Sequence, residues 1–535
     1  MISQHTLTAT EAHNIIINAT RSTISISKET ITEDIHIQRK IKSQVISHST
    51  FHNIKITDNE VDILEFENCY INELLISNCK LQSIIFSELR AERIVFDNCE
   101  VSNIRITGDI ENEIITRDSH IDHLIIKSTF TRSLEVSCTE TKKINRISIN
   151  SDKSIASAKF SGPIKSITLS RIRGSFEFMN ATVDTLNIGK NTRPLQIIIR
   201  HSRILNSTLN ECTVGSMKIG NSNIKMRIAG GTYTSITFED EGEIILNSYL
   251  SKRISVGSIY FQLFTVNSNS KIHFNNIDIG KLHLEYFDNY GILQFNECMV
   301  NESMTLYHAT LRSTNFNNFS FSKKCNVEIL DSHLIESSFT NTTWPRANKL
   351  LEHSEKSYNK ERFRDYLKYL KSLFESYRQL KWIYTSHGSK NEGLEFLKNE
   401  QRIYCKILNT NKYNSWNDFA DYLILKTNQC FSEFGQNIWR PIFYGILIHS
   451  ILYYCILGYN PTLGIKLGIP YDPQATKYGF SLFFDLLLPT HSSQVYAFNS
   501  NEEVRLNGIL NLLIRVSSSY FIFYFIMATR KFHQK

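Results

Sequence analysis

The chain has 535 residues, too many for one compact core, and carries only 8 prolines and 21 glycines, which excludes many ordinary hairpins and favours an extended repeat. Its net charge of +7 is unevenly placed: residues 1–340 hold 35 Lys and Arg against 37 Asp and Glu, and the remaining third holds 24 against 15. A basic C-terminal third suits a membrane surface, while the near balance before it argues against nucleic acid as a partner and against an acidic decoy of DNA.

From Met1 to Thr30 the chain is polar and β-branched, without the apolar core of a secretion signal, which predicts that the N-terminal part stays in the cytoplasm. The strongest periodicity runs from Phe51 to Val136. There a ten-residue pattern recurs nine times, with Ile54, Leu64, Leu74, Ile84 and their successors at its fourth position and Ile56, Phe66, Ile76, Phe86 at its sixth. Halfway between lie Cys69 and Ile71, Cys79 and Leu81, and Cys99 and Val101. Apolar positions therefore step 2, 3, 2, 3, which fits neither a helix at 3.6 nor a single strand at 2.0. A five-residue unit with two inward side chains makes the side of a square coil, and stacked coils bury the face that one coil leaves open.

These pairs, with Ala309/Leu311, Thr314/Phe316, Ser332/Leu334 and Ser337/Phe339, resemble the pentapeptide-repeat family. The resemblance implies a mainly β, right-handed quadrilateral β-helix over residues 1–343. The chain departs from the family by using Ile where Leu is usual and by losing register between Thr139 and Thr265. Cys69, Cys79 and Cys99 sit in the small inward column. With no CxxC pair and no zinc-type spacing, the cysteines are read as reduced core thiols, and no metal or cofactor is expected. His5, His13, His36 and His48 have no ligand spacing either, and no nucleotide or hydrolase motif is present, so no enzymatic activity is expected.

Near Trp344 and Pro345 the period changes to 3.6, opening a helical linker over residues 344–433. Tyr366, Leu370, Leu373, Phe374, Tyr377 and Leu380 mark a helix from Lys356 to Tyr384. Leu394, Leu397, Ile403, Tyr404 and Ile407 mark a second, and the turn signals from Ser386 to Lys390 join them as an αα-hairpin. A third amphipathic helix is expected from Trp416 to Phe431. Tyr377-Arg378-Gln379-Leu380-Lys381, the Gly388 turn, Phe434-Gly435 and Trp439-Arg440-Pro441 are similar to segments of membrane-anchored pentapeptide-repeat proteins of bacteria. That likeness implies the bacterial inner membrane.

Residues 434–535 read as an α-helical membrane domain. Pro441–Tyr459 and Gly508–Thr529 are long and apolar enough to span a bilayer, and flanking basic residues put both termini in the cytoplasm of a multi-pass protein. Between them Tyr478–Leu488 is too short to span and is stopped by Pro489, as in a re-entrant or interfacial helix. The second span carries Asn507, Asn511 and Arg515 at i, i+4 and i+8, continued by Ser518 and Ser519. Intramembrane polar residues are costly and usually face water or a partner, so this face is the candidate pore lining, with Asp485, Pro489, Thr490 and His491 as the candidate pore loop. The alternative is that Arg515 snorkels outward or pairs with Asp485 and serves helix packing only.

Together these features predict a cytoplasmic solenoid that regulates a two-helix, channel-like membrane domain, a homo-oligomer in the lipid bilayer with an unknown protein partner on the solenoid. A membrane-permeabilising effector of antiviral defence or stress fits that layout. The alternative is a membrane-anchored scaffold whose spans only anchor it.

Overall fold

The computed structural model describes residues 24–27, 30–31, 35–37, 41–139, 141–151, 155–191, 193–248, 254–345, 363–411, 415–465, 473–498 and 502–533. His5, His13 and the expected helix start at Lys356 lie outside them. The chain divides into two compact units, Met1–Ser357 and Tyr358–Lys535.

In the first unit 25 strands form one continuous sheet. Each strand pairs in parallel with the chain one coil later: Glu60 with Lys80, Lys80 with Glu100, and Glu100 with His120. Parallel pairing at a step of twenty residues in these coils, and of 18 to 26 farther along the chain, makes a β-solenoid of about 14 turns. At ~4.8 Å per turn the rod is roughly 67 Å long. All the inward residues quoted for the repeat are buried, from Cys69/Ile71 to Ser337/Phe339.

The two inward columns do different jobs. The large column stacks on itself, as in Phe274, Phe295, Phe316 and Phe339, whose ring centroids are 5.0, 5.1 and 4.7 Å apart. The small column holds the corner, because its side chain donates to the carbonyl two residues back. Cys79 Sγ reaches Ser77 O at 3.1 Å, Ser119 Oγ reaches Arg117 O at 2.8 Å, and Ser332 Oγ reaches Leu330 O at 2.8 Å. Cys, Ser, Thr and Asn can all fill that role, which explains the composition of the column.

Just before each small residue the backbone turns left-handed, at Asp58, Asn68, Asn78, Glu88, Asn98 and Asp118. Asn and Asp tolerate this conformation best among residues with a side chain. Gly108 occupies the same series at φ +132°, where a Cβ would lie 2.0 Å from Leu89 O, so only glycine fits.

The described part of the irregular middle is still solenoid, with a variable coil length. Thr131 pairs with Ile155, 24 residues on, but Ser157 pairs with Ser175, only 18 on. The loss of a constant period hides it from a fixed-spacing reading.

The second unit is helical. α1 (Phe363–Ser386) and α2 (Lys390–Thr410) form the αα-hairpin, turning at Gly388, whose φ is +81°. Leu370, Leu373, Tyr377 and Leu380 are buried against Phe396, Ile403 and Ile407, and Lys381 Nζ meets the buried Glu400 at 2.6 Å. α3 (Trp416–Ser432) starts at a Ser415 cap and ends at Glu433 in the left-handed region. α4 (Trp439–Tyr459), α5 (Pro473–Leu487) and α6 (Gly508–His533) follow, with a short antiparallel hairpin of Gln494–Tyr496 and Glu503–Arg505 between the last two.

Candidate functional site

α4 and the Gly508–Thr529 part of α6 each have a mean hydropathy of 1.6 and are only 22% buried. Their outward side chains are large and apolar, among them Ile446, Ile451, Leu512, Val516 and Phe523. So much exposed apolar surface would be unfavourable in water, and both helices are long enough to cross a membrane.

α5 runs antiparallel along α4, from its C-terminal end to its middle. Tyr453 Oη donates to Gly479 O at 2.7 Å, and one turn further His449 Nε2 meets Phe483 O at 3.0 Å. The Phe483 ring sits edge-on to both, 4.8 Å from His449 and 5.3 Å from Tyr453. Another turn on, Leu487 and Leu488 line a 260 Å³ cavity with Gly445, Ile446, Ser518 and Phe521. The outer end of α5 is held by the Tyr478 hydroxyl, which donates to the Tyr496 carbonyl. One side of α5, formed by Ala475, Gly479, Leu482 and Leu486, is buried, while Phe480, Phe484 and Leu488 project outward.

After Pro489 the chain turns back along α6. His491 is buried, with Nδ1 2.7 Å from Leu488 O and Nε2 2.6 Å from Asn511 Oδ1. Both ring nitrogens are thereby engaged, one by a backbone carbonyl and one by the Asn511 side chain. One turn deeper, Arg515 Nη2 donates to the His491 carbonyl at 2.5 Å. The return ends where Leu506 N donates to Ser493 O at 3.0 Å and Asn507 Oδ1 accepts from Ile509 N at 3.1 Å, capping α6.

The residues expected from the sequence thus separate. Asn511, Arg515 and His491 come together in one hydrogen-bonded cluster, with Arg515 half-buried. Ser518 is buried beside the cavity, whereas Ser519 is exposed on another side of α6. Asn507 is an exposed cap at the helix end. Pro489 is half-buried at the turn, and Asp485 and Thr490 are exposed. The Arg515 guanidinium is seated on a backbone carbonyl, so the expected Asp485 partner is replaced by the loop itself. His449, Tyr453 and Phe483 were not singled out by the sequence. An imidazole in a nineteen-residue uncharged run was the available signal.

Among the described residues no group of three or more His, Cys, Asp or Glu side chains could hold a metal ion. Burial pushes the Cys138 thiol up to about 11 and the Cys212 thiol up to about 12, away from the reactive thiolate. In comparison with known proteins, no family model, no curated protein and no solved structure matches this chain.

Proposed function

We propose that the protein is a membrane-embedded, channel-like effector of the bacterial inner membrane, in which a cytoplasmic pentapeptide-type solenoid regulates a homo-oligomeric two-helix pore. One observation carries the reading. The short helix α5 penetrates beside α4 to its middle and returns through a loop pinned by Arg515. A simple anchor has no use for non-spanning backbone at that depth, and such backbone is tolerated only where protein buries it or water meets it. Arg515 acts here as the clamp of the pore loop, and the positive charge behind that loop favours anions.

The scaffold reading draws on a different observation. Asn511 and Ser518 are buried within one chain, so the polar face of α6 is spent on internal packing, as an anchor domain would have it.

Current across a planar bilayer holding the full chain separates the two. Discrete openings, with anion preference reduced in Arg515→Gln, support the pore. A silent bilayer, together with unchanged cellular function when a foreign two-helix anchor replaces residues 434–535, supports the scaffold.

A further inference from the structure

At one corner of the C-terminal coils the left-handed position is filled by side chains that the rest of the rod avoids. Elsewhere glycine, Asn, Asp or another polar residue takes it, His48 and His201 among them, but in successive coils Leu263 has φ +50° and Tyr286 φ +49°, with His308 at φ +49° in the coil that follows. Among the described corners of the solenoid Leu263 and Tyr286 are the large apolar ones. A bulky side chain in this region is strained, and strain that persists points to use rather than to folding. Neither side chain is repaid by burial, since Leu263 is 63% and Tyr286 51% exposed.

The neighbouring columns extend the same surface. Tyr286 stacks on His308 at 5.1 Å and meets Tyr307 edge-on at 5.6 Å. In the column two residues before Tyr307 and its equivalents, Tyr260 stacks on His283 at 4.8 Å. Burial holds His283 below the ordinary imidazole range, so its ring stacks as a neutral aromatic. Beyond the corner Tyr290 is 55% exposed.

Carboxylates interleave these rings: Glu285 and Asp288 flank Tyr286, Glu328 lies in the Tyr260 column, and Asp331 continues the corner below His308. The basic residues at the margin are already paired, Lys281 with Glu302 at 3.7 Å and Arg312 with Glu336 at 3.9 Å. Arg312 also shows what such a ring can hold, because its guanidinium lies 5.3 Å from the Tyr290 ring centre.

We propose that this corner is a docking surface for an Arg- or Lys-bearing peptide segment of a partner protein, taken by cation–π contact with the tyrosines and by the interleaved carboxylates. It rests on the solenoid being a docking rod and not on the membrane domain conducting. Exposed aromatics with acidic neighbours bind cations in both ways at once, and the register places them over about three coils, the span of a short extended peptide.

The test uses the full chain in uncharged phosphatidylcholine nanodiscs, with fluorescein-labelled octa-arginine as probe and octa-glutamate as control, read by anisotropy. Leu263→Asn/Tyr286→Asn changes no charge and installs the residue common at other corners, so the variant is expected to melt no lower than the parent while binding octa-arginine at least tenfold more weakly. Tyr286→Asn alone is expected to lose about threefold, and Glu285→Gln/Glu328→Gln to flatten the salt dependence. Equal affinity for the two probes, or octa-arginine affinity unchanged in the double Asn variant, overturns the proposal. Because no current is read, that failure leaves the conducting reading standing. A solenoid with no peptide-dependent function in cells, despite tight octa-arginine binding at this corner, would instead count against the docking rod.

Discussion

At the scale of single residues, the chain spends polar groups where the backbone would otherwise be left without partners. The small inward side chains of the solenoid close its corners, and Arg515 does the equivalent for the return loop by donating to the His491 carbonyl. A hydrogen bond from a charged donor in such a place contributes about 1.5–3 kcal/mol. Arg515→Leu should therefore raise local opening of the loop by roughly 10- to 100-fold. Hydrogen exchange in nanodiscs would show it as faster exchange over Thr490–Gln494, with Phe480–Leu486 in α5 unchanged because Tyr453 and His449 still hold that helix. Equal exchange in both variants would mean that His491 and Asn511 seat the loop without the guanidinium.

At the scale of elements, Glu433 joins the helical hairpin to the first apolar helix. It caps α3, and its carboxylate lies 2.7 Å from Lys398 on α2 and 3.6 Å from Arg440 on α4. Burial alone would raise its pKa, but Lys398 and then Arg440 outweigh burial and hold the carboxyl below the ordinary range. A carboxylate depressed in the folded state adds stability that is present above its unfolded value of about 4.3 and is lost as pH falls through the folded value. Acidification below about 4 should thus loosen this junction. Glu433→Gln should lower the stability at pH 7 by under ~1 kcal/mol, the group being partly exposed, and remove that share of the acid sensitivity in a thermal melt followed by helical circular dichroism. Much of this element scale was legible in the sequence. The pentad step, the αα-hairpin with its Gly388 turn and the two apolar spans follow from local periodicity. What was not legible depends on contacts between distant segments: that α5 descends to mid-length of α4 is set by Tyr453–Gly479 and His449–Phe483, pairs 26 and 34 residues apart. Spacing along one helix likewise put Asn507 with Arg515, although the chain uses Asn507 as a cap.

At the scale of the whole solenoid, stability is a sum over neighbours, since each coil touches only the coil before and the coil after. A rod of this kind is weakest where a coil has one neighbour, and its last phenylalanines would face an open end. Trp344 answers this by stacking on Phe321 at 5.2 Å and lying tilted against Phe339 at 5.3 Å, which extends the ring ladder that runs through Phe316. Trp344→Ala removes the aromatic contacts with Phe321 and Phe339 and opens part of the core, at a cost of about 2–3 kcal/mol. Because coupling passes only between neighbours, the loss should stay local. Exchange is expected to rise by roughly 30- to 100-fold over residues 314–340 and to stay unchanged over residues 60–130. Uniform loss of protection along the rod would instead mean that the solenoid unfolds as one cooperative body, with coupling that reaches well beyond neighbouring coils.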